Sequence, residues 1–432
     1  MDMADRATGR RVLILGGGAG GLELASRLAG KGGVEVTLVD REMTHLWKPR
    51  LHEFAAGTVS STLAEISFYM LARMRGFHFE QGEVRAIDRA GARVELGAMH
   101  DEEGRELAPA RFLPYDLCVV ALGGVTPDFG TEGVAENAVR LDGPEDAEDF
   151  RTRFAGTMIR ARSSGVPAEI VIVGSGATGT ELAAHLRNSE TGFLVRGGKA
   201  RADKLLGITI LEAAPVIMPG IDDALRAKLV ERLKQLDIKT VTDAKIAAIE
   251  PGAVRSVSGE RWPADVSVWA AGLVGHPVLK RLADFEMDDK GRIKVDRTLR
   301  STVDERIYVM GDAASMVAKG AEKPLPPTAQ AASQQADYLT ETIPLLLKGQ
   351  PVEPFEFRNR GRLVQLGRAG TVGRIGSGHG DDFLIHGQFA TAAYDALQRH
   401  HQWKVLGRLR GTVAIFADML SPAKGPALKL HG

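Results

Sequence analysis

Residues 170–187 read IVIVGSGATGTELAAHLR. An apolar run without polar alternation is the mark of a parallel strand covered on both faces. Glycines at 174, 176 and 179 follow at the GxGxxG spacing, and helical spacing begins directly after them. The first glycine permits the sharp turn, the second lets a pyrophosphate approach the backbone, and the third lets helix and strand pack closely. The helix N-terminus then offers free N–H groups and a partial positive charge to phosphate. The same pattern stands earlier, at residues 12–28, VLILGGGAGGLELASRL, with Gly16, Gly18 and Gly21 in the equivalent places. One such turn is weak evidence for a dinucleotide. Two, each between an apolar strand and a helix, point to two nucleotide cradles.

Each unit closes on a second strand that ends in an acid, Asp40 after VEVTLVD and Glu212 after ITILE. A carboxylate there can accept hydrogen bonds from a ribose diol, and it repels a 2′-phosphate, so NADH is expected over NADPH. Between the second helix and its closing strand lies an insertion over 188–204, polar and glycine-bearing. Residues 80–125 are expected to be antiparallel, with FHFEQGEVRAID and ARVELGA alternating before YDLCVVALGG at 115–124 returns to the core. Residues 126–150 are turn-rich and suit a crossing between domains. Helices are expected at 222–236 and about 327–347.

The 432 residues suffice for two or three domains. Fifty-five basic and fifty-five acidic side chains cancel, so no global field marks a nucleic-acid binder. The single cysteine, Cys118, lies in an apolar strand and excludes an internal disulfide, a CxxC pair and a thiolate metal cage. The eleven histidines show no metal-ligand spacing, so no metal is expected. The N-terminal residues lack an apolar signal-like segment, and no run is long enough to span a bilayer, which leads to a cytoplasmic expectation. With two cradles and no redox thiols, one cofactor can deliver a hydride and the other, a flavin, can receive it.

Glu181 falls in the first turn of the second cofactor helix. Position alone leaves two readings open: a carboxylate favoured by the helix dipole, or a group beside the nicotinamide on a proton route to the flavin.

The order GGGAGG, VVALGG, GSGATG, WAAG and YVMGDAA resembles the two-dinucleotide-domain flavoprotein reductases. LPPTAQAASQQADYL at 325–339, with an AQxAxQ pattern, and HLWKPRLHEFAAGT at 45–58 are similar to the type II, non-proton-pumping NADH:quinone oxidoreductases. The resemblance covers nearly the whole chain. It implies an α/β fold with two Rossmann-like domains: an FAD-binding domain over 10–143 and 275–348, interrupted by an NADH-binding domain over 144–274. A C-terminal region over 349–432 follows. The resemblance further implies that FAD meets Gly16, Gly18, Gly21, Asp40, Lys48, Val84, Ala121, Gly123, Gly311, Asp312 and Ala329. NADH would meet Gly174, Gly176, Gly179, Glu212 and Gly272. Gln330 and Gln334 would line the quinone side of the flavin, and Glu181 matches a glutamate near flavin and nicotinamide. Two departures stand out: Leu122 where the family carries threonine in ATG, and Arg50 where many relatives are apolar.

Respiratory quinones are lipid-soluble, so a membrane contact is expected. Trp403, Leu406, Leu409, Val413, Phe416 and Leu420 recur at steps of three and four, forming one apolar face of a helix over 399–420. Arg399, His400, His401, Lys404, Arg408 and Arg410, and later Lys424 and Lys429, add positive charge. The expectation is a basic amphipathic helix lying on the cytoplasmic side of the cell membrane. Docking on the domain or on a second subunit is the alternative, and the choice between monomer and homodimer stays open. A sulfide:quinone oxidoreductase or disulfide reductase on this frame would need a second redox cysteine. An NADH-binding signalling flavoprotein resembling apoptosis-inducing factor would not need the AQxAxQ helix or the basic tail.

Overall fold

The apolar strand Arg10–Leu15, buried from Val12 onward, is the centre of a five-stranded parallel sheet. Leu117–Val120 and Ile307–Val309 lie on one side of it, Val34–Asp40 and His78–Gln81 on the other. The computed structural model describes residues 9–59, 65–196, 199–200, 204–376 and 382–420. The second sheet repeats the plan around Ala168–Val173, with Val266–Trp269 and Ala138–Val139 on one side and Leu206–Leu211 and Lys239–Val241 on the other. In both, the connection changes direction beside the central strand, the place where open α/β sheets bind ligands.

Each sheet carries a three-stranded antiparallel flap, made of Val84–Asp88, Arg93–Leu96 and Arg111–Pro114 in the first unit and of Ile246–Glu250, Ala253–Ser256 and Arg261–Pro263 in the second. The antiparallel expectation for 80–125 therefore needs a correction at its start. His78–Gln81 alternates in sequence but joins the parallel sheet at its edge, where only one face needs cover. The chain also enters the second sheet at Ala138, before the expected boundary at 143. The two crossings pair with each other, Gly124 opposite Gly275 and Val125 opposite Val274. The insertion after Arg187 begins as a continuation of the helix, which runs over Ala177–Leu194.

The C-terminal region joins the two units. Strands Gly361–Gln365, Thr371–Gly376 and Asp382–Gly387 form an antiparallel sheet, and Val364, Leu366 and Val372 pack into the core of the second unit. Helix Gln388–Leu406 then places Val405 in the core of the first. The single helix expected over 399–420 is two helices, Gln388–Leu406 and Arg408–Leu420. They break at Gly407, whose φ of 83° is open to glycine at little cost. Gly411 is buried against Trp403, where a Cβ would approach the ring to 2.7 Å. Residues 421–432, with Lys424 and Lys429, lie outside the described residues.

Candidate functional site

The two glycine turns are built alike. Gly16 and Gly174 have φ of 106° and 107°. A Cβ on Gly21 would stand 1.9 Å from the Gly16 carbonyl oxygen, and one on Gly179 would stand 2.1 Å from that of Gly174. Gly18 and Gly176 face open space, with nothing within 4 Å of a would-be Cβ. That is the shape a pyrophosphate requires. No side chain caps the first helix at Gly18, which leaves its leading N–H groups for an anion.

Asp40 accepts from Gly17 N at 2.6 Å and Glu42 N at 2.9 Å. Burial raises its carboxyl above the usual range against these bonds. Glu212 accepts from Ser175 N at 3.0 Å, Ser175 Oγ at 2.6 Å and Ala214 N at 2.9 Å. Both acids therefore hold the backbone of their own glycine turn.

A cavity of about 560 Å³ opens at the first turn. All eleven residues expected to meet FAD line it: Gly16, Gly18, Gly21, Asp40, Lys48, Val84, Ala121, Gly123, Gly311, Asp312 and Ala329. They come from both sheet halves and from helix Ala329–Leu346, whose N-terminus Thr328 caps by accepting from Ala331 N. Lys48 Nζ donates to the Gly124 carbonyl at 3.0 Å, and its charge opposes the rise that burial imposes on Asp312. Leu122 lines the same cavity. The size, the open glycine and the free helix N-terminus fit a flavin dinucleotide. Of the residues expected to meet NADH, Gly272 lines this cavity, beside Thr178, Trp269 and Ala270. Gly174, Gly176, Gly179 and Glu212 form the separate second turn.

Gln330 and Gln334 lie elsewhere. Gln330 accepts from Arg360 N at 3.0 Å and donates to the Gly361 carbonyl at 3.3 Å. Gln334 does the same with Arg358 N at 3.0 Å and the Arg358 carbonyl at 2.9 Å. Both amides thus bind the chain entering the C-terminal sheet, and neither residue is among those lining the cavity. The neighbouring Gln335, not singled out in the sequence, is buried and accepts from Gly311 N at 2.7 Å, bracing the Gly311–Asp312 turn. Its signal was its register: Ala331, Ala332, Gln335, Ala336 and Leu339 form the inward stripe of the helix.

Glu181 is 6% exposed and accepts from Gln365 N at 2.9 Å. Its other oxygen lies 3.7 Å from His52 Nδ1. Burial pushes its carboxyl up to about 8, against the Gln365 N–H and with help from Glu53. Around it stand His52, Glu53 and His185, whose ligand-type atoms fall within 4.8 Å of one another. The sequence did not bring these together, because they sit on different helices. Glu53 pairs with Arg50 at 2.6 Å, and His185 bonds Thr58 Oγ1 at 3.0 Å and Gln365 Oε1 at 2.9 Å. Arg50, read as a departure, is thus the counter-ion of this cluster.

The C-terminal cations divide. His401, buried, and Lys404, half-buried, were both expected to supply surface charge and are instead partners of Glu23, a residue the sequence reading passed over. Arg408 and Arg410 are exposed. Of the apolar stripe, Trp403, Leu409, Val413 and Phe416 are exposed, while Leu406 packs on the first core.

Residues 10–336 match the family described as pyridine nucleotide-disulphide oxidoreductase. The chain is 33% identical to the type II NADH:quinone oxidoreductase of Haemophilus influenzae, over 98% of this chain and all of that one. It is 29% identical to the enzyme of the same name from Staphylococcus aureus, over 85% of this chain and 90% of the relative. In fold it is similar to NDH2 from Plasmodium falciparum in complex with NADH, with a TM-score of 0.78 at 18% identity, covering 97% of this chain and all of that one. The sulfide:quinone oxidoreductase of Aquifex aeolicus shares the fold almost as closely, with a TM-score of 0.75 at 18% identity over 98% and 96%. With this sequence match over essentially its full length, the chain belongs to the type II NADH:quinone oxidoreductases.

Proposed function

We propose that this chain oxidises NADH at an FAD held in the 560 Å³ cavity and passes two electrons to a quinone. The observation that carries this reading is the convergence of the first glycine turn, both crossings and the Gly311–Asp312 turn on one cavity. Bound there, FAD would supply the redox chemistry. The glycine turn and helix N-terminus hold its pyrophosphate, Asp40 keeps the turn closed, and Gln335 fixes Gly311. The second turn holds NADH, with Glu212 at its ribose and Gly272 where the two cofactors meet. Glu181 keeps a proton to about pH 8, and we assign it the proton accompanying electron transfer. Gln330 and Gln334 act by ordering the chain that enters the C-terminal sheet.

The shared fold with a sulfide:quinone oxidoreductase does not favour that chemistry. Cys118 is the single cysteine, is fully buried, and burial raises its thiol far above the ordinary range. The test is direct. Purified protein is expected to be yellow and to bleach with NADH in the absence of oxygen. NADH turnover with a ubiquinone analogue is then required, and a yellow protein that bleaches but reduces no quinone overturns the quinone assignment.

We assign the membrane contact to the outer face of the last two helices, on the cytoplasmic side. Phe389, Leu397, Trp403, Leu409, Val413 and Phe416 are exposed there, beside Arg408 and Arg410. Apolar residues with Trp and a basic rim suit an anionic bilayer surface. No helix among the described residues is long and apolar enough to cross a membrane. Flotation with anionic liposomes is expected to fail once the chain is cut after Gly407, which spares His401 and Lys404. Full flotation of that truncated protein overturns the assignment.

A further inference from the structure

A buried polar chain links the first glycine turn to the C-terminal helix. The Gly17 carbonyl oxygen lies 2.9 Å from His45 Nδ1. His45 Nε2 lies 3.2 Å from His401 Nε2, and His401 Nδ1 lies 2.7 Å from Glu23 Oε1. The other Glu23 oxygen accepts from Ser333 Oγ at 2.7 Å and Lys404 Nζ at 3.1 Å. His45, His401 and Glu23 are 4%, 6% and 2% exposed. Trp47 stacks on His401 with ring centres 5.3 Å apart.

The hydrogen count follows from the two ends. A carbonyl only accepts, so His45 Nδ1 carries a hydrogen. Glu23 is ionised: burial opposes its charge, but His401, Lys404 and Ser333 outweigh that and bring its carboxyl down to about 2. His401 Nδ1 therefore carries a hydrogen as well. The two Nε2 atoms face each other at hydrogen-bond distance, and one must donate to the other. Two imidazoles then hold three hydrogens, one more than two neutral rings possess. With two, a pair of lone pairs would confront each other at 3.2 Å in a dry site.

We propose that His45 and His401 share a third proton, that this proton fastens the C-terminal helix to the glycine turn of the flavin cradle, and that its loss at alkaline pH loosens both. Burial holds His45 down to about 3, and the ring that faces a carboxylate is His401, whose Nδ1 lies 2.7 Å from Glu23 Oε1. The other charged groups facing the pair are Lys404 on its own helix, Arg27 on the helix of Glu23, and Asp337, which both of those cations share. The pair is a positioning device: His45 lines the cofactor cavity, and its grip on the Gly17 carbonyl turns the following N–H groups toward the pyrophosphate. The positive charge beside the turn favours that diphosphate, and by reciprocity bound flavin favours the proton.

The inference rests on the first unit holding FAD, and its test separates the two claims. In the holoenzyme labelled with 15N-histidine, nitrogen shifts near neutral pH are expected to show three protonated nitrogens among the four of His45 and His401. Two protonated nitrogens overturn the proposal, whether or not flavin binds. Flavin release, read by its fluorescence, is expected to strengthen as rising pH removes the shared proton, by at most about tenfold per pH unit for one linked proton. Hydrogen exchange of residues 388–406, corrected for intrinsic rate, rises in step. His401→Phe is expected to release flavin readily at every pH. A wild-type enzyme whose flavin affinity and helix protection ignore pH overturns the proposal, and where His401→Phe does not fold, the nitrogen count on the wild type decides.

Discussion

Glu23 and Glu181 occupy the same place in the two nucleotide units. Each stands seven residues after the first glycine of its turn, Gly16 or Gly174, on the inward face of its helix. Both are buried, and both are met by the C-terminal region. There the likeness ends. Glu23 receives His401 and Lys404 from a helix, and its carboxyl falls to about 2. Glu181 receives one backbone N–H from a strand, and its carboxyl rises to about 8. The same side chain at the same position is an anion in one unit and keeps its proton in the other. Much of the difference lies in what the C-terminal chain brings to it.

Removing the anion is expected to have the largest effect. Glu23→Ala leaves the buried His401 without its carboxylate and the half-buried Lys404 with Asp337 alone, and is expected to cost about 3–5 kcal/mol, the range for breaking a buried pair. Urea unfolding measures this, and a loss under about 1 kcal/mol would mean the cluster adds little.

A smaller effect is expected where the units agree. Gly21→Ala and Gly179→Ala each drive a methyl group onto a backbone carbonyl that cannot rotate away. Both are expected to lose about 1–3 kcal/mol, a normal overpacking cost, with loss of flavin from the first and weaker NADH binding in the second. Equal loss of flavin from both would contradict the separate roles.

Glu181→Gln sharpens the contrast through pH. The native state keeps the Glu181 proton to about pH 8, whereas an unfolded glutamate releases it near its ordinary value of 4.5. Wild-type stability therefore declines as pH rises through that window and then levels. Glutamine removes the decline while still accepting from Gln365 N. The variant is expected to gain at least about 1 kcal/mol above pH 8 and nothing near pH 4. A gain independent of pH would refute the assignment. If Glu181 also handles the reaction's proton, quinone reduction by the variant falls while anaerobic bleaching by NADH persists.

The smallest effect belongs to Glu212→Gln. Glu212 grips Ser175 as well as facing the ribose site, so NADH binding is expected to weaken a few-fold, with the preference over NADPH relaxed by at most about tenfold. An unchanged NADH/NADPH ratio would leave Glu212 with only its turn-holding role.

The units were legible because their signals are local. Strand burial, GxGxxG spacing and the acid after the second strand each sit within one stretch of chain, and the structure reproduces their geometry to within a degree of φ at Gly16 and Gly174. His78–Gln81 misled because an edge strand with one covered face alternates whether its neighbour is parallel or antiparallel. The C-terminal helices misled because amphipathic spacing cannot distinguish a cation that faces water from one that reaches a buried carboxylate. His401 and Lys404 have the sequence character of a surface stripe, and it is Glu23, some 380 positions earlier, that draws both inward.

By itself, then, the sequence determined two dinucleotide cradles, the absence of redox thiols, and through its motifs a flavin-dependent NADH:quinone chemistry. Those follow from backbone geometry and residue type, which neighbouring residues dictate. Tertiary structure decided the protonation of the two paired glutamates, the role of Gln335, the separation of Gln330 and Gln334 from the cavity lining, and which C-terminal cations face outward. Each of these depends on a partner far along the chain, in a dry interior where burial raises a carboxyl and only several donors and charges together bring it down.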